Sequence, residues 1–141
     1  MDEELIWWCV MATSGACVRM TAPHLKALQD CVGQACCLPA RFAWDHRAAA
    51  HVQIFNLLAD VAADHPVPAM VLAGAVGTMY DLMVAVGPVA DGMINSSRRR
   101  LLALIRAGDA EGAAAEMEHH LRGLRFMARV SGTAEPGDIA V

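Results

Sequence analysis

Two apolar stripes of helical period, separated by one Gly-Asp pair, constrain this chain more than any other feature in it. The stretch Ser97 to Leu121 reads SRRRLLALIRAGDAEGAAAEMEHHL. Its first half places Leu101, Leu104 and Ile105 on one face, and its second half continues with Ala113, Met117, Leu121 and then Leu124, the three-and-four spacing of an amphipathic helix. Between them Gly108 can take the left-handed conformation that closes a helix. Asp109 can cap the free N–H groups of the next one, with Glu111 favourably placed against its dipole. The pattern predicts a tight helical hairpin.

Two polar residues fall on those stripes. Arg98 precedes Leu101 by three and Ile105 by seven, so it extends the apolar face, and His120 follows Met117 by three and adjoins Leu121. A charge or an imidazole turned toward a core needs a partner. Two outcomes are open: Arg98 snorkels to water from the first helical turn while His120 bonds a carbonyl, or both residues build a site.

Helical spacing extends over most of the chain. Acidic residues at the start and Arg19 at the end fit the dipole of a first helix from Glu3 to Arg19. Thr21 then offers an N-cap with Pro23 in the first turn, and Leu25, Leu28, Val32 and Ala35 mark a second helix that stops before Pro39. A third carries Trp44, Ala48, His51, Phe55, Leu58 and Ala62 in steps of four and three, an inward seam, while Asp45, Arg47, Gln53 and Asp60 fall off it. His51 is therefore on the core side, His46 and Asn56 lie off the main seam, and Asn56 borders any cavity there.

After the turn Asp64-His65-Pro66, residues Val67 to Val86 are apolar nearly all round. The length approaches a membrane span, but Tyr80 and Asp81 interrupt it and no basic flank orients it, so a central buried helix is expected. Its Met79, Tyr80 and Met83 either line a pocket or fill the core. Gly87-Pro88 ends that helix, and Val89 to Asn95 leads into the hairpin. The residues 131–141 are small, polar and Pro/Gly-containing, and are expected to form a flexible tail after a domain spanning 1–130. Nothing alternates like a sheet. The fold class is all-α, an antiparallel bundle of about six helices.

Composition narrows the function. Of 141 residues, 56% are hydrophobic and only 18% charged, with nine Met, which suits a packed helical domain with an adaptable interior. The net charge of -4 argues against nucleic-acid binding by this chain itself. The five cysteines are odd in number and lack paired CxxC spacing, and the start is acidic where a secretory segment would be basic. A reducing cytoplasm with cysteines serving as small hydrophobes is expected. No carboxylate pair, Cys-His set or phosphate loop stands out, so an enzyme is not expected; the nearest approach is Glu116, one turn before His120. His51, Arg98 and His120 aim at the middle of the bundle, which is how small-molecule and metal sites are built in such folds.

The string LLALIRAGDAEGAAAEMEHHL resembles the closing signature of the ligand-sensing domain of GntR-family transcription regulators, the FCD type named after the fatty-acid regulator FadR. Upstream, ACVRMTAPHLKALQDCV is similar to that family's A-x-R-x-T-x-x-x-L-x-x-L, and HVQIFNLLADVAADHP to its D-x-x-F-H-x-x-L-A-x-A-x-x-N-P. The resemblance extends from about Glu4 to Arg129. It implies an effector-binding, homodimerising helical domain, normally preceded by a winged-helix DNA-binding domain, so that DNA is met only through a domain not in this chain.

Many domains of that type hold a divalent metal with one Asp and three His. By resemblance His51 stands at the Asp position and Phe55 at the first His position; a shift of one residue puts Val52 and Asn56 there instead. The first register is preferred because His51 and Phe55 share the inward stripe. Arg98 stands at the second His position, and only His120 is retained. Arginine has no lone pair and repels a cation, so the expectation is a degenerate divalent-metal site without metal, His51 and His120 being the only ligands left. In its place Arg98, helped by His120 and His51 and walled by Phe55, Asn56, Tyr80 and Met83, is expected to bind a small anionic, carboxylate-type metabolite. The alternatives are a ligand-free dimerisation module or a small all-α enzyme.

Overall fold

The computed structural model describes residues 1–39, 42–62 and 69–131. They form an all-α bundle of six helices: α1 (Glu3–Arg19), α2 (Ala22–Cys36), α3 (Trp44–Val61), α4 (Ala69–Val86), α5 (Asp91–Arg106) and α6 (Ala110–Val130), with a 3-10 turn at Pro88–Ala90. The turn Asp64-His65-Pro66 and residues 132–141 lie outside the described residues. Among those described, no single helix is long and apolar enough to cross a membrane.

Helices α1, α2 and α6 start where a short polar side chain takes an orphan N–H. Asp2 accepts from Leu5 N at 2.9 Å, and Thr21 and His24 form a reciprocal capping box with Pro23 beside them. The α5–α6 turn is the most closely specified. Gly108 has φ +73°, Asp109 Oδ1 accepts from Gly112 N at 2.8 Å, and a Cβ on Gly112 would come within 2.8 Å of Leu104 Cδ2 and closer still to Asp109. The hairpin is thus closed by two glycines for two reasons, a left-handed backbone at one and lack of room at the other.

Helix α6 packs on α1, α5 and α4; α3 packs on α2, α4 and α1; and α2 also packs on α5. Ile6, Cys9, Leu28, Ile54, Phe55, Leu58, Met79, Met83, Ile94, Leu101, Met117 and Leu121 fill the interior. Polar staples hold the rim. Glu3 receives both Arg122 and Arg125, joining the start of α1 to α6. Arg47 of α3 pairs with Asp91 of α5 and stacks on Trp44, whose indole donates to Met83 O at 2.6 Å.

Two expectations change, and one segment gains detail. The helix α4 is not buried all round: Ala75, Met79, Met83 and Val86 face inward, but Ala73, Gly74, Gly77, Val84 and Ala85 are exposed, because α1, α3 and α6 cover only one side of it. Val52 is buried although it lies off the main seam of α3; that helix has neighbours on more than one side, so its apolar arc is wider than the seam. The lead-in Val89 to Asn95 is itself ordered, one 3-10 turn followed by the first turn of α5.

Candidate polar site in the bundle core

The hairpin aims two polar side chains at one place. Arg98 sits on the stripe of α5 that carries Ile94, Leu101 and Ile105, and His120 sits on the stripe of α6 that carries Ala113, Met117 and Leu124. His51 enters from the seam of α3 between Ala48 and Phe55. Arg98 and His51 are 0% exposed and His120 is 2% exposed. The charge of Arg98 acts on both imidazoles, and His51 acts on His120, so the three helices bring these polar groups within electrostatic reach of one another. Helix α3 is not among the close backbone neighbours of α5 or α6; side chains fill the space between them.

None of these groups is satisfied within the described residues. Nε, Nη1 and Nη2 of Arg98 and both ring nitrogens of His51 and of His120 are shut from solvent without a hydrogen-bond partner. Arg98 therefore does not snorkel, and His120 does not bond a carbonyl. An uncompensated buried cation is among the most costly arrangements in a protein interior.

Burial lowers the pKa of Arg98 to about 10, with Cys36, Cys31 and Glu116 acting in the opposite direction, so the guanidinium stays charged at neutral pH. Burial, then Arg98 and Arg47, push His51 down to about 4. Burial, then Arg98, His51, His119 and Arg100, hold His120 well below its ordinary value. Both imidazoles are neutral near pH 7, each with one N–H donor and one lone pair. Cys31 and Cys36 of α2 border the site, and burial raises both thiols, so neither supplies an anion. Glu116 does not form an acid-base pair with His120 either. Its Oε1 lies 2.9 Å from both Nε and Nη2 of Arg100.

The remaining predicted residues occupy different positions. Phe55 and Met83 are fully buried. Tyr80 is half-buried against the core, and Asn56, also half-buried, donates to Gln53 Oε1 at 3.2 Å on an exposed part of α3. The register that pairs His51 with Phe55 thus puts both residues at full depth, whereas the shifted one pairs buried Val52 with a residue bonded outward.

Sequence reasoning missed Asn95, whose Oδ1 is shut from solvent without a partner and whose carbonyl oxygen lies 4.0 Å from Cys36 Sγ. Its position three before Arg98 on one helix was the available signal. The donor set as a whole does not fit a divalent cation. A fixed positive charge stands at its centre with Phe55 beside His51 in sequence spacing, and among the described residues no three His, Cys, Asp or Glu side chains are grouped to hold a metal. The arrangement fits an anion instead: five guanidinium N–H donors and two imidazole N–H groups, in a site of low polarisability where each such bond is strong.

No family model, no curated protein and no solved structure matches this chain.

Proposed function

We propose that this chain is the effector-sensing and dimerising domain of a GntR-like transcription regulator, which binds a small carboxylate-type metabolite at Arg98 without a metal. The buried, charged and unpartnered guanidinium of Arg98 carries this reading. A carboxylate would supply the missing counter-charge in the bidentate geometry a guanidinium favours, and the neutral imidazoles of His51 and His120 would donate to it or accept from the rest of the molecule. The resemblance of the hairpin to the FCD signature supports the assignment to a regulator.

Binding would act by linkage. An anion between α3, α5 and α6 favours the helix arrangement that closes around it, and a dimer passes that preference to the DNA-binding domains. Exposed Val89, Phe126 and Val130 line an apolar cleft of about 190 Å³ with Val86, Met127 and Ser131, an apolar surface of the kind used for association.

One observation favours a second reading. The site is fully closed to solvent, as in an interaction module that binds no ligand. Thermal unfolding with a panel of small carboxylates separates the two. A sensor gains stability with ligand concentration, and Arg98→Met abolishes that gain. Absence of any ligand-dependent shift, or a shift that survives Arg98→Met, overturns the sensor reading.

A further inference from the structure

The end of α2 carries two adjacent thiols. Cys36 is its final helical residue and Cys37 is the C-cap, at φ -108° and ψ 7°. Both are free. Cys37 is exposed, and Cys36 is half-buried against α5, where its Sγ lies 4.0 Å from Asn95 O. Arg99 of α5 is exposed and, among the described residues, pairs with no carboxylate, whereas Arg100 beside it is taken by Glu116. Burial raises the Cys36 thiol, and Arg99 opposes that both by its charge and as a hydrogen-bond donor. An accessible thiol, a second thiol one residue away and an uncommitted cation thus meet at one place on the surface.

Geometry selects this pair over the third thiol of the helix. Cys31 lies five residues before Cys36, a rise of about 7.5 Å along the axis, beyond the Cα separation of about 7 Å that a disulfide can bridge. Adjacent residues differ in the opposite sense. Their Cα atoms are about 3.8 Å apart, less than the roughly 4.4 Å at which unstrained disulfides begin. A bridge between Cys36 and Cys37 is therefore strained and easily reduced, the mark of a labile rather than a structural disulfide. In the middle of a helix such a ring would break the hydrogen-bond ladder on both sides. At the C-cap it disturbs only the final turn, in which Cys37 N–H donates to Gly33 O at 3.1 Å.

We propose that Cys36 and Cys37 form a reversible dithiol switch closed by hydrogen peroxide, with Cys37 as the thiol first oxidised, Cys36 as the resolving thiol and Arg99 as the residue that positions Cys36. The Cys37 sulfur attacks one peroxide oxygen. The O–O bond breaks, hydroxide leaves as water with the thiol proton, and Cys37 becomes a sulfenic acid. The Cys36 sulfur then attacks the Cys37 sulfur. An S–S bond forms, the S–O bond breaks, and hydroxide leaves as a second water with the proton of Cys36. Two thiols are oxidised to one disulfide and one peroxide is reduced to two waters. Glutathione reopens the ring by thiol–disulfide exchange. Ring closure draws Cys36 out of its helical conformation, so its contact with Asn95 on α5 is lost in the oxidised form.

Peptide mass spectrometry after treatment of the folded protein with hydrogen peroxide tests this. The expected result is a loss of two hydrogens in the segment holding Cys36 and Cys37, recovered on addition of glutathione. The loss persists in Cys31→Ala and is absent from Cys36→Ser and Cys37→Ser; in Cys36→Ser, dimedone instead traps a sulfenic acid at Cys37. In Arg99→Ala that trapped species accumulates severalfold over the parent at neutral pH, and the excess vanishes as the pH is raised, whereas Arg99→Lys behaves as the parent. A bridge between two chains, a bridge to Cys31, over-oxidation without a bridge, or a bridge that glutathione does not open overturns the switch. Equal trapping in the parent and Arg99→Ala at every pH overturns the part given to Arg99. These readouts do not involve the interior site, so the switch and the sensor reading stand or fall separately.

Discussion

Glu116 gives its carboxylate to Arg100, with Nε and Nη2 both 2.9 Å from Oε1, and thereby leaves Arg98, two residues earlier on α5, without a counter-ion. Glu116 is close enough to act on the charge of Arg98. Removing its present partner should let it compete for that role. Arg100→Ala is expected to weaken carboxylate binding although the Arg100 side chain is half exposed and outside the site. Parallel titrations of the two proteins check this; an unchanged affinity would show that Glu116 cannot serve Arg98.

Arg98→Met replaces a buried unpaired cation by an apolar side chain of similar length. In the absence of added carboxylate the variant should be more stable than the parent by about 1–4 kcal/mol, which is the reverse of the usual outcome of altering a fully buried residue. Urea unfolding at pH 7 measures it. A loss of stability would mean that Arg98 contributes favourably to the fold.

Acid should destabilise this domain before its carboxylates titrate. His51 has a pKa of about 4 in the folded protein against 6.5 when unfolded, so the unfolded chain binds more protons between those values. Stability is fully present above pH 6.5 and falls as the pH drops toward 4, by about 3 kcal/mol from His51 alone. His120 is displaced in the same direction and adds to the slope. Denaturation curves at pH 7 and pH 4.5 should differ accordingly, and His51→Gln should flatten the dependence.

Gly112→Ala should destabilise the hairpin by about 1 kcal/mol, although alanine ordinarily favours a helix over glycine. The added Cβ would collide with the capping Asp109 carboxylate and with Leu104, so the capping bond to Gly112 N is strained or lost. Gly33, where a Cβ would meet nothing within 4 Å, is the control, and substitution to Ala there should be neutral or stabilising by thermal melt.

The cysteines should separate by depth. Burial pushes the Cys9 thiol up to about 12, whereas Cys37 is exposed. A maleimide reagent at neutral pH is expected to modify Cys37 first and Cys9 only on unfolding, which peptide mass spectrometry can follow.

Local signals in the chain determined the helices themselves. Thr21 with Pro23, and Gly108 with Asp109, act through their own backbone neighbours, and the seams of α3, α5 and α6 need only a repeat of three and four to declare an inward face. That same repeat put His51, Arg98 and His120 inside. Burial around α4 was decided by tertiary structure, because apolar residues on every side of a helix do not say which side has neighbours. The tertiary structure also decided what became of each polar group. Glu116 could pair with His120 in its own helix or with Arg100 across the hairpin, and only the placement of α5 against α6 selects Arg100. Asn95 shows the same dependence: its Oδ1 is shut from solvent, without a partner among the described residues, where α2 packs on α5, a fact set by residues about sixty positions apart in the chain. Spacing along a helix fixes direction; whether a partner waits at the end of it depends on which other helices arrive.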